Sequence, residues 1–236
     1  MRKIVIIPTY NEKENIESII RAVMALDGGF EVLVIDDNSP DGTAGIVKGL
    51  QNDMDSRLHM IEREGKLGLG TAYITGFRWA IDKGYDYIFE MDADFSHNPN
   101  DLIRLAEAAE TEKAGLVIGS RYICGVNVVN WPMKRVLMSY FASYYVRKIT
   151  GMPVHDATAG FVCYSADTLK KLNFDNIRMK GYGFQIEMKY TIWKMGEKIK
   201  EIPIVFTDRT LGTSKMSSGI FGEAFWGVMK LRFKKI

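Results

Sequence analysis

Apolar runs that alternate with helical patterns over roughly the first 120 residues most constrain the fold of this chain. Each run is short and rich in β-branched and aromatic side chains, which is typical of a buried strand. Strands that alternate with helices indicate βαβ units and a mostly parallel sheet. We therefore predict an α/β fold in which helices flank the sheet. The predicted strands cover Ile4–Ile7, Val32–Ile35, Tyr87–Met91 and Leu116–Gly119, and the predicted helices cover about 12–20, 41–51, 71–83 and 100–112.

The length of 236 residues fits a single domain with a substantial core, so we predict one domain over residues 1–236. A long helical pattern rich in Tyr, Phe and Met covers Trp131–Ile149, and a second covers Gly219–Ile236. Strand-like runs at Val162–Tyr164 and Ile202–Phe206 lie between the two patterns. We thus expect C-terminal amphipathic helices to be added to the α/β sheet.

Composition excludes several classes of protein. Lys and Arg number 31 against 29 Asp and Glu, so a net charge of +2 gives no global attraction to nucleic acid. Cys124 and Cys163 lack the spacing of a zinc site or a CxxC motif and suit reduced thiols in the cytoplasm. No apolar stretch approaches the roughly 20 residues of a membrane span, and no signal-peptide pattern precedes the first strand.

Asp92 and Asp94 lie one residue apart where the strand ending at Met91 runs out. Side chains two positions apart on a strand point to the same side, so both carboxylates can bind one hard cation while diphosphate oxygens complete its shell. Open α/β sheets bind ligands at this end of their strands. For this pair alone, a solvated turn capped by Asp and Ser is the alternative.

Further carboxylates follow the first two strands, namely Glu12 and Asp37. Parallel neighbours bring these strand ends to the edge that holds Asp92. Because carboxylates repel bare phosphate, we predict that Glu12 and Asp37 contact a ribose or base, or bind through a cation. The alternative is that residues 36–38 form a turn and that Glu12 is an acid favoured at the start of a helix.

Four motifs in this order resemble those of family 2 glycosyltransferases and, more narrowly, of the polyprenol-phosphate (dolichol-phosphate) mannose synthases. They lie at 8–12, 36–43, 65–72 and 91–97, and the likeness continues at 119–122, 155–161 and 209–215. The resemblance implies a GT-A (Rossmann-like) fold and a nucleotide-sugar donor such as GDP-mannose. It also implies Mg²⁺ or Mn²⁺ at Asp92 and Asp94, and a polyprenyl (dolichyl or undecaprenyl) phosphate as acceptor.

The resemblance also implies roles for individual residues. Asp92, Asp94 and Arg121 would serve in catalysis, and Ser96 could add a side-chain oxygen to the metal held by Asp92 and Asp94. Arg121, Arg209 and Lys215 would face phosphate groups as charge-assisted donors, the alternative being surface salt bridges. The implied donor-binding residues are Pro8, Tyr10, Glu12, Ile35, Asp37, Asp92, Ala93, Asp94, Arg209 and Lys215.

The chemistry of the acceptor separates two kinds of site. Sugar transfer from a nucleotide diphosphate needs a divalent cation and Arg or Lys to stabilise the leaving group. A phosphate monoester is already ionised at neutral pH, so it needs no strong general base. Asp156 would be the base for a hydroxyl acceptor and would otherwise orient an Arg. One in-line displacement would invert the anomeric carbon.

The Trp131–Ile149 pattern offers a site for a lipid phosphate. Arg135 and Ser139 are four residues apart, share one helix face and can bind the acceptor phosphate together with Arg121. The surrounding Tyr, Phe and Met side chains suit a polyprenyl chain at a bilayer surface, and the alternative is a core helix.

Residues 216–236 have a wide apolar face and terminal cations, which predict an interfacial helix on an anionic membrane or one docked on the domain's own core. Membrane contact would come from these helices or from a separate anchoring protein. We expect a cytoplasmic location, peripheral on the cytoplasmic face of a membrane.

Other hypotheses remain open at this point. The same fold could transfer glucose or an N-acetylhexosamine from a UDP-sugar to polyprenyl phosphate or to a glycan hydroxyl. A non-catalytic nucleotide- or lipid-binding module is a third hypothesis, and the presence of both Asp92 and Asp94 argues against it. A Rossmann dehydrogenase fails because Pro8–Glu12, and no Gly-x-Gly-x-x-Gly turn, follows the first strand.

Overall fold

The computed structural model describes residues 1–54, 56–179, 181–209, 211 and 220–233. Within these ranges the chain forms a large sheet, a small second sheet and flanking helices. The strands are β1 (Lys3–Thr9), β2 (Phe30–Asp36), β3 (Leu58–Glu62), β4 (Tyr87–Glu90), β5 (Leu116–Ser120), β6 (Val128–Val129), β7 (Val162–Ser165), β8 (Ile199–Pro203) and β9 (Phe206–Thr207). The helices are α1 (Ile16–Met24), α2 (Thr43–Asp53), α3 (Leu69–Asp82), α4 (Asp101–Glu112), α5 (Met133–Thr150), α6 (Ala166–Lys170), α7 (Gly181–Lys194) and α8 (Ile220–Leu231), with a short 3-10 turn at Phe174–Asn176.

The large sheet has seven strands in the order β3-β2-β1-β4-β7-β5-β8. β7 runs antiparallel to both β4 and β5, whereas the other neighbouring strands are parallel. The chain moves outward from β1 to β2 and β3 on one side, and then returns to place β4 on the other side of β1. Such a reversal opens a crevice at the carboxyl ends of the strands, where α/β proteins bind ligands.

Side chains of β1 alternate between two cores, one on each face of the sheet. Ile4 and Ile6 pack with Tyr73 and Phe77 of α3, whereas Val5 and Ile7 belong to the core that contains the buried side of α1 and α4. Successive residues of a strand point to opposite faces, so an unbroken apolar run requires cover on both faces. The predicted α/β architecture, with helices flanking a mostly parallel sheet, is confirmed.

The strands and helices expected in the N-terminal half are present, and the structure adds β3 and α7, which the sequence patterns do not predict. In α7 the polar residues Gln185, Glu187 and Lys189 are buried, so the helix lacks the polar face that would reveal it. The single strand expected over Ile202–Phe206 is wrong. β8 ends at Pro203, which has no N–H to donate, and β9 pairs with β6 in the second sheet.

The two C-terminal helical patterns correspond to α5 and α8. Among the described residues, no helix combines the length and the apolar character needed to cross a bilayer. One domain over residues 1–236 stays a prediction, and residues 216–219 and 234–236 of the expected interfacial segment lie outside the described residues.

Candidate active site

The carboxyl ends of β1, β2 and β4 meet in one crevice and carry Glu12, Asp37, Asp92 and Asp94. The adjacent strand ends are joined by backbone hydrogen bonds, from Asp37 N–H to the Thr9 carbonyl at 3.0 Å and from Met91 N–H to the Ile6 carbonyl at 3.2 Å. The sequence-predicted carboxylates are therefore on the same edge of the sheet.

A tight turn after β4 fixes Asp92 and Asp94. The Ser96 N–H donates to Asp94 Oδ1 at 3.0 Å, and Asp94 is almost fully buried. The Asp92 N–H donates to Nδ1 of His97 at 3.3 Å. Burial lowers the pKa of His97 to about 4, so its ring is neutral and accepts this hydrogen bond. Hydrogen bonds within the turn thus fix the backbone of Asp92 and the carboxylate of Asp94.

Among the described residues, Arg209 is the cation that lowers the pKa of Asp92, while the carboxylates around Asp92 raise it. Enclosure in the crevice, and then the charge of Asp94, raise the pKa of the Asp92 carboxyl to about 7, although 42% of the Asp92 side chain remains exposed. Arg209 offsets part of this charge, because its Nη2 lies 2.7 Å from Asp94 Oδ2 and its Nη1 lies 4.0 Å from Glu12 Oε1. A cation at the exposed side of Asp92 would relieve the remaining repulsion.

These oxygen donors fit a hard divalent cation such as Mg²⁺ or Mn²⁺. In the described part of the chain, no group of three or more His, Cys, Asp or Glu residues is arranged to hold a metal ion. A pair of carboxylates such as Asp92 and Asp94 suits a cation whose other ligands are substrate phosphates and water. Ser96 is buried beside them, and its role as a metal ligand stays a prediction.

Asp36 and Asp37 make different contacts at the end of β2. Asp36 is structural, because its carboxylate accepts hydrogen bonds from the hydroxyls of Thr9 at 2.8 Å and Ser39 at 2.6 Å. Asp37 faces Arg63 instead, whose Nε donates to Asp37 Oδ1 at 2.6 Å. Burial raises the pKa of the Asp37 carboxyl despite the opposing charge of Arg63.

Arg63 is a residue of this crevice that the sequence reasoning missed. Its guanidinium also donates to the Thr71 hydroxyl at 2.7 Å and to the Gly68 carbonyl at 3.2 Å, so it ties Asp37 to the glycine-rich segment 65–72. Its position could have indicated this role, because Arg63 directly follows β3, and β3 is parallel to β2, which ends in acidic residues.

The other predicted donor-binding residues differ in exposure. Pro8 and Tyr10 are half-buried at the end of β1, and the Lys66 ammonium lies 5.1 Å from the centre of the Tyr10 ring. Ile35 and Ala93 pack in the hydrophobic cores, so any contact they make with a donor comes from their backbone. Lys215 lies outside the described residues.

Arg121 and Asp156 form a buried ion pair on the other side of the crevice. The Arg121 backbone N–H and Nε donate to Asp156 Oδ2 at 3.0 and 2.7 Å, and Nη2 donates to Oδ1 at 2.6 Å. Burial acts to raise the pKa of Asp156, but the charge and hydrogen bonds of Arg121 bring it below its ordinary value. Of the two roles considered for Asp156, the geometry agrees with orienting an Arg.

Aromatic rings surround the Arg121 guanidinium, with the ring centres of Tyr122, Trp131 and Phe206 at 5.3, 5.5 and 5.6 Å. Arg135 contacts the same Trp131 ring, with its guanidinium 4.0 Å from the ring centre. Its Nη1 donates to Asp208 Oδ1 at 2.7 Å.

Ser139 lies four residues along α5 from Arg135, beside the Tyr122 phenol. Residues 121, 135 and 139 are thus gathered around one aromatic cluster.

Segment 206–209 links the two sides of the crevice. The Thr207 N–H donates to the Ser96 carbonyl at 3.1 Å, Asp208 pairs with Arg135, and Arg209 pairs with Asp94. A short stretch of chain therefore touches both the carboxylate turn and the Arg135 helix.

Helices α5 and α8 present an exposed apolar surface next to Arg135. The helices are joined where the Tyr145 ring stacks on Phe225 at 4.8 Å and where Arg232 donates to the Ile149 carbonyl at 2.9 Å. We define the α5–α8 surface by Met133, Leu137, Met138, Tyr140, Phe141, Tyr144, Phe225, Trp226, Met229 and Phe233. Because so much of α5 is exposed, the alternative of a core helix is wrong, whereas α8 docks on the core through Val228 and Leu231.

Comparisons with known proteins agree with this geometry. The family model for glycosyl transferase family 2 matches residues 4–172. An undecaprenyl-phosphate mannosyltransferase of Micrococcus luteus is 46% identical over 230 residues, which cover 98% of this chain and 93% of the relative. A polyprenol monophosphomannose synthase of Mycolicibacterium smegmatis is 42% identical over 232 residues, covering 96% of this chain and 87% of the relative.

A solved structure shares the fold. Glucosyl-3-phosphoglycerate synthase from Mycobacterium tuberculosis, in complex with Mn²⁺, UDP-glucose and phosphoglyceric acid, superposes with a TM-score of 0.71 at 20% sequence identity. The match covers 100% of this chain and 81% of that one. The arrangement of helices and strands is therefore of the GT-A type that the sequence resemblance implies.

Proposed function

The chain belongs to glycosyl transferase family 2 and is a glycosyltransferase, and we propose that it transfers mannose from GDP-mannose to a polyprenyl phosphate. The observation that carries the proposal is the 42–46% identity, over nearly the whole chain, to two enzymes named for mannose transfer to polyprenyl phosphates. The hypothesis of a non-catalytic module is set aside by the family.

The donor would bind in the crevice at the ends of β1, β2 and β4. Asp37, held by Arg63, and Glu12 would contact the nucleoside, because their carboxylates can accept hydrogen bonds from ribose hydroxyls or base N–H groups. Asp92 and Asp94 would hold Mg²⁺ or Mn²⁺. The bound cation would offset the charge that builds on the leaving diphosphate. Arg209, already beside Asp94, would donate to the same phosphates.

The acceptor would present its phosphate to Arg121 and Arg135. Asp156 is fully buried and engaged by Arg121, which supports an acceptor that is ionised before it binds rather than a hydroxyl that needs a base. A phosphate oxygen attacking the anomeric carbon in line with the leaving diphosphate would invert that carbon in one displacement. Ser139 would add a hydroxyl donor from the same face of α5.

The α5–α8 surface would meet the membrane from which the lipid acceptor comes. Its exposed Phe, Tyr, Met and Trp side chains are those that enter the interfacial region of a bilayer, and Lys134, Lys148 and Lys230 lie on the same helices. This supports a protein peripheral on the cytoplasmic face, by itself or with a separate anchoring protein.

The test is transfer of radiolabelled sugar into organic-extractable lipid from GDP-mannose, UDP-glucose or UDP-N-acetylglucosamine. Polyprenyl phosphate is the acceptor, with Mg²⁺ or Mn²⁺ present and EDTA as the control. Labelling from GDP-mannose that EDTA abolishes supports the proposal. Labelling from a UDP-sugar instead would overturn the mannose assignment, and labelling that resists EDTA would overturn the role of the metal.

A further inference from the structure

A lysine of α7 lies buried beneath the crevice, where the chemistry described so far does not use it. Lys189 has no exposed surface. Its Nζ donates to the Ala159 carbonyl at 2.6 Å, to the Gln185 side-chain oxygen at 3.0 Å and to the Gln185 carbonyl at 3.3 Å. All three partners are oxygen acceptors inside the protein.

On one side, Lys189 is connected to the strand that leads to the carboxylate turn. The Gln185 amide accepts from Lys189 through its oxygen and donates through its nitrogen to Glu90 Oε2. Glu90 is the last residue of β4, and its second oxygen accepts from the Tyr164 hydroxyl at 3.1 Å. The Gln185 amide thus bridges a buried ammonium and a buried carboxylate, two residues before Asp92.

On the other side, Lys189 holds the segment that orients Arg121. The Ala159 carbonyl belongs to residues 156–160, which we name the Asp156 loop. Asp156 in this loop makes the bidentate pair with Arg121, and Thr158 accepts a further hydrogen bond from Arg121 at 2.9 Å. The loop's opposite end is held by Glu201, which accepts from the Asp156 N–H at 3.0 Å.

Burying an ammonium costs desolvation free energy, which an apolar side chain of similar length would not lose. A buried lysine at this position therefore indicates that its charge or its hydrogen bonds serve a function. Compensation of Glu90 is one such use, and it requires only a positive charge nearby. The short bond to Ala159 adds something that charge alone does not require. It fixes a backbone carbonyl of the Asp156 loop relative to β4.

We propose that Lys189 is a positioning residue that sets the distance between Arg121 and the Asp92–Asp94 pair by holding the Asp156 loop against the end of β4. This inference rests on the proposed function for the substrates it concerns. In it, Lys189 contacts neither donor nor acceptor and acts through Ala159, Asp156 and Arg121. Burial lowers the pKa of Lys189 to about 8 against the opposing charges of Glu90 and Asp156, which agrees with an ammonium that stays charged at neutral pH.

The experiment separates positioning from charge compensation. The double variant Glu90→Gln/Lys189→Met removes both buried charges together, so the charge balance is kept while the hydrogen bond to Ala159 is lost. If Lys189 served only to balance Glu90, this variant should behave like the wild type. Lys194→Met is the matched control, because it makes the same change at an exposed site on the same helix. Three quantities are measured: the melting temperature, the affinity for GDP with Mn²⁺, and the kcat and acceptor KM of sugar transfer.

We expect the double variant to keep its GDP affinity within about 3-fold while kcat falls by about 10- to 100-fold and acceptor KM rises, since a shift of about 1 Å in a phosphate-binding group costs up to two orders of magnitude. Amide hydrogen exchange in residues 155–160 should accelerate in the same variant. Wild-type kcat and wild-type exchange in a folded double variant would overturn the inference.

If the double variant does not fold, Glu201→Gln decides, because it loosens the Asp156 loop from its other end. Selective loss on the acceptor side supports control of Arg121 by this loop, and unchanged acceptor kinetics overturns it. The exchange measurement needs no substrate. Absence of transfer by the wild-type protein would therefore refute the proposed function while leaving the anchoring of the loop by Lys189 separately measurable.

Discussion

The Arg121 guanidinium donates to both oxygens of the Asp156 carboxylate, from Nε to Oδ2 at 2.7 Å and from Nη2 to Oδ1 at 2.6 Å. Both side chains are buried, so the two charges depend on each other. Removing one of the two charges leaves the other buried without this counter-charge, which costs about 3–5 kcal/mol.

Asp156→Asn should therefore destabilise the protein at pH 7 by about 3–5 kcal/mol. The folded-state pKa of Asp156 is lowered, so the stability it contributes is present above the unfolded-state pKa of about 4 and is lost as the pH falls through the folded-state value. The difference in unfolding free energy between wild type and variant should therefore become smaller below pH 4. Urea unfolding at pH 7, 5 and 3.5 measures this difference.

Asp175→Asn, which removes the exposed pair with Arg78, is the control and should cost less than about 1 kcal/mol. An equal cost for both variants would contradict the prediction.

Asp92→Asn and Asp94→Asn should each lower transfer by roughly 100-fold or more, because each would remove a charged ligand of the proposed cation that stabilises the leaving group. The melting temperature of the metal-free Asp92→Asn protein should equal or exceed that of wild type, since one of two neighbouring negative charges is gone. Transfer assays and thermal melts check both points, with exposed Asp82→Asn as control. Near-normal turnover in either variant would refute the metal assignment.

Arg209→Gln should increase the affinity for Mn²⁺ in the absence of donor by about 5-fold or more, because Arg209 pairs with Asp94 and would compete there with the proposed cation. The same variant should transfer sugar poorly, since the proposed contact of Arg209 with the donor phosphates would be lost. Titration of free Mn²⁺ by electron paramagnetic resonance gives the affinity, and Arg78→Gln at an exposed site is the control. Weaker Mn²⁺ binding in Arg209→Gln would show that the two cations do not compete.

Arg135→Ala should raise the acceptor KM by about 10-fold or more and leave the donor KM within about 2-fold, because the proposed charge-assisted hydrogen bond to the acceptor phosphate would be lost. Initial rates with each substrate varied in turn supply both constants. Arg78→Ala, at an exposed site on α3 away from α5 and α8, is the control. If acceptor dependence were unchanged, the phosphate would have to bind elsewhere, with Arg121 the next candidate.

Phe141→Ser and Trp226→Ser should each weaken binding to anionic vesicles by roughly 10-fold, because the two side chains are 58% and 66% exposed on the α5–α8 surface. Vesicle flotation at several lipid concentrations gives the affinity, and transfer to a short, water-soluble prenyl phosphate tests that the active site is intact. Vesicle binding equal to wild type in both variants would place the membrane contact on another part of the protein.

Local patterns in the sequence predicted much of the sheet and its ligand-binding edge. Continuous apolar runs revealed β1, β2, β4 and β5, because strands covered on both faces carry no polar alternation. The spacing of Asp92 and Asp94 after such a run was sufficient to predict that both lie in the crevice. The direction of β7 was not predictable, since Val162–Tyr164 reads the same in a parallel or an antiparallel strand.

Long-range pairing accounts for what the sequence did not reveal about the site. Arg121 and Asp156 meet across 35 positions, and Arg63 reaches Asp37 across 26, so neither partner could be chosen from spacing. α7 escaped prediction for a related reason. Its polar residues Gln185 and Lys189 point inward toward partners on β4 and the Asp156 loop, so the usual relation between polarity and exposure is reversed.

β7 has a mechanical consequence. It pairs through its whole length with β4, which leads to Asp92 and Asp94, and through Val162–Tyr164 with β5, which leads to Arg121. The two sides of the crevice thus belong to one hydrogen-bonded ladder, and moving them apart as two rigid bodies would break that ladder at its centre. Under the proposed function, entry of the donor and departure of the lipid product would therefore be accommodated by chain segments outside the sheet.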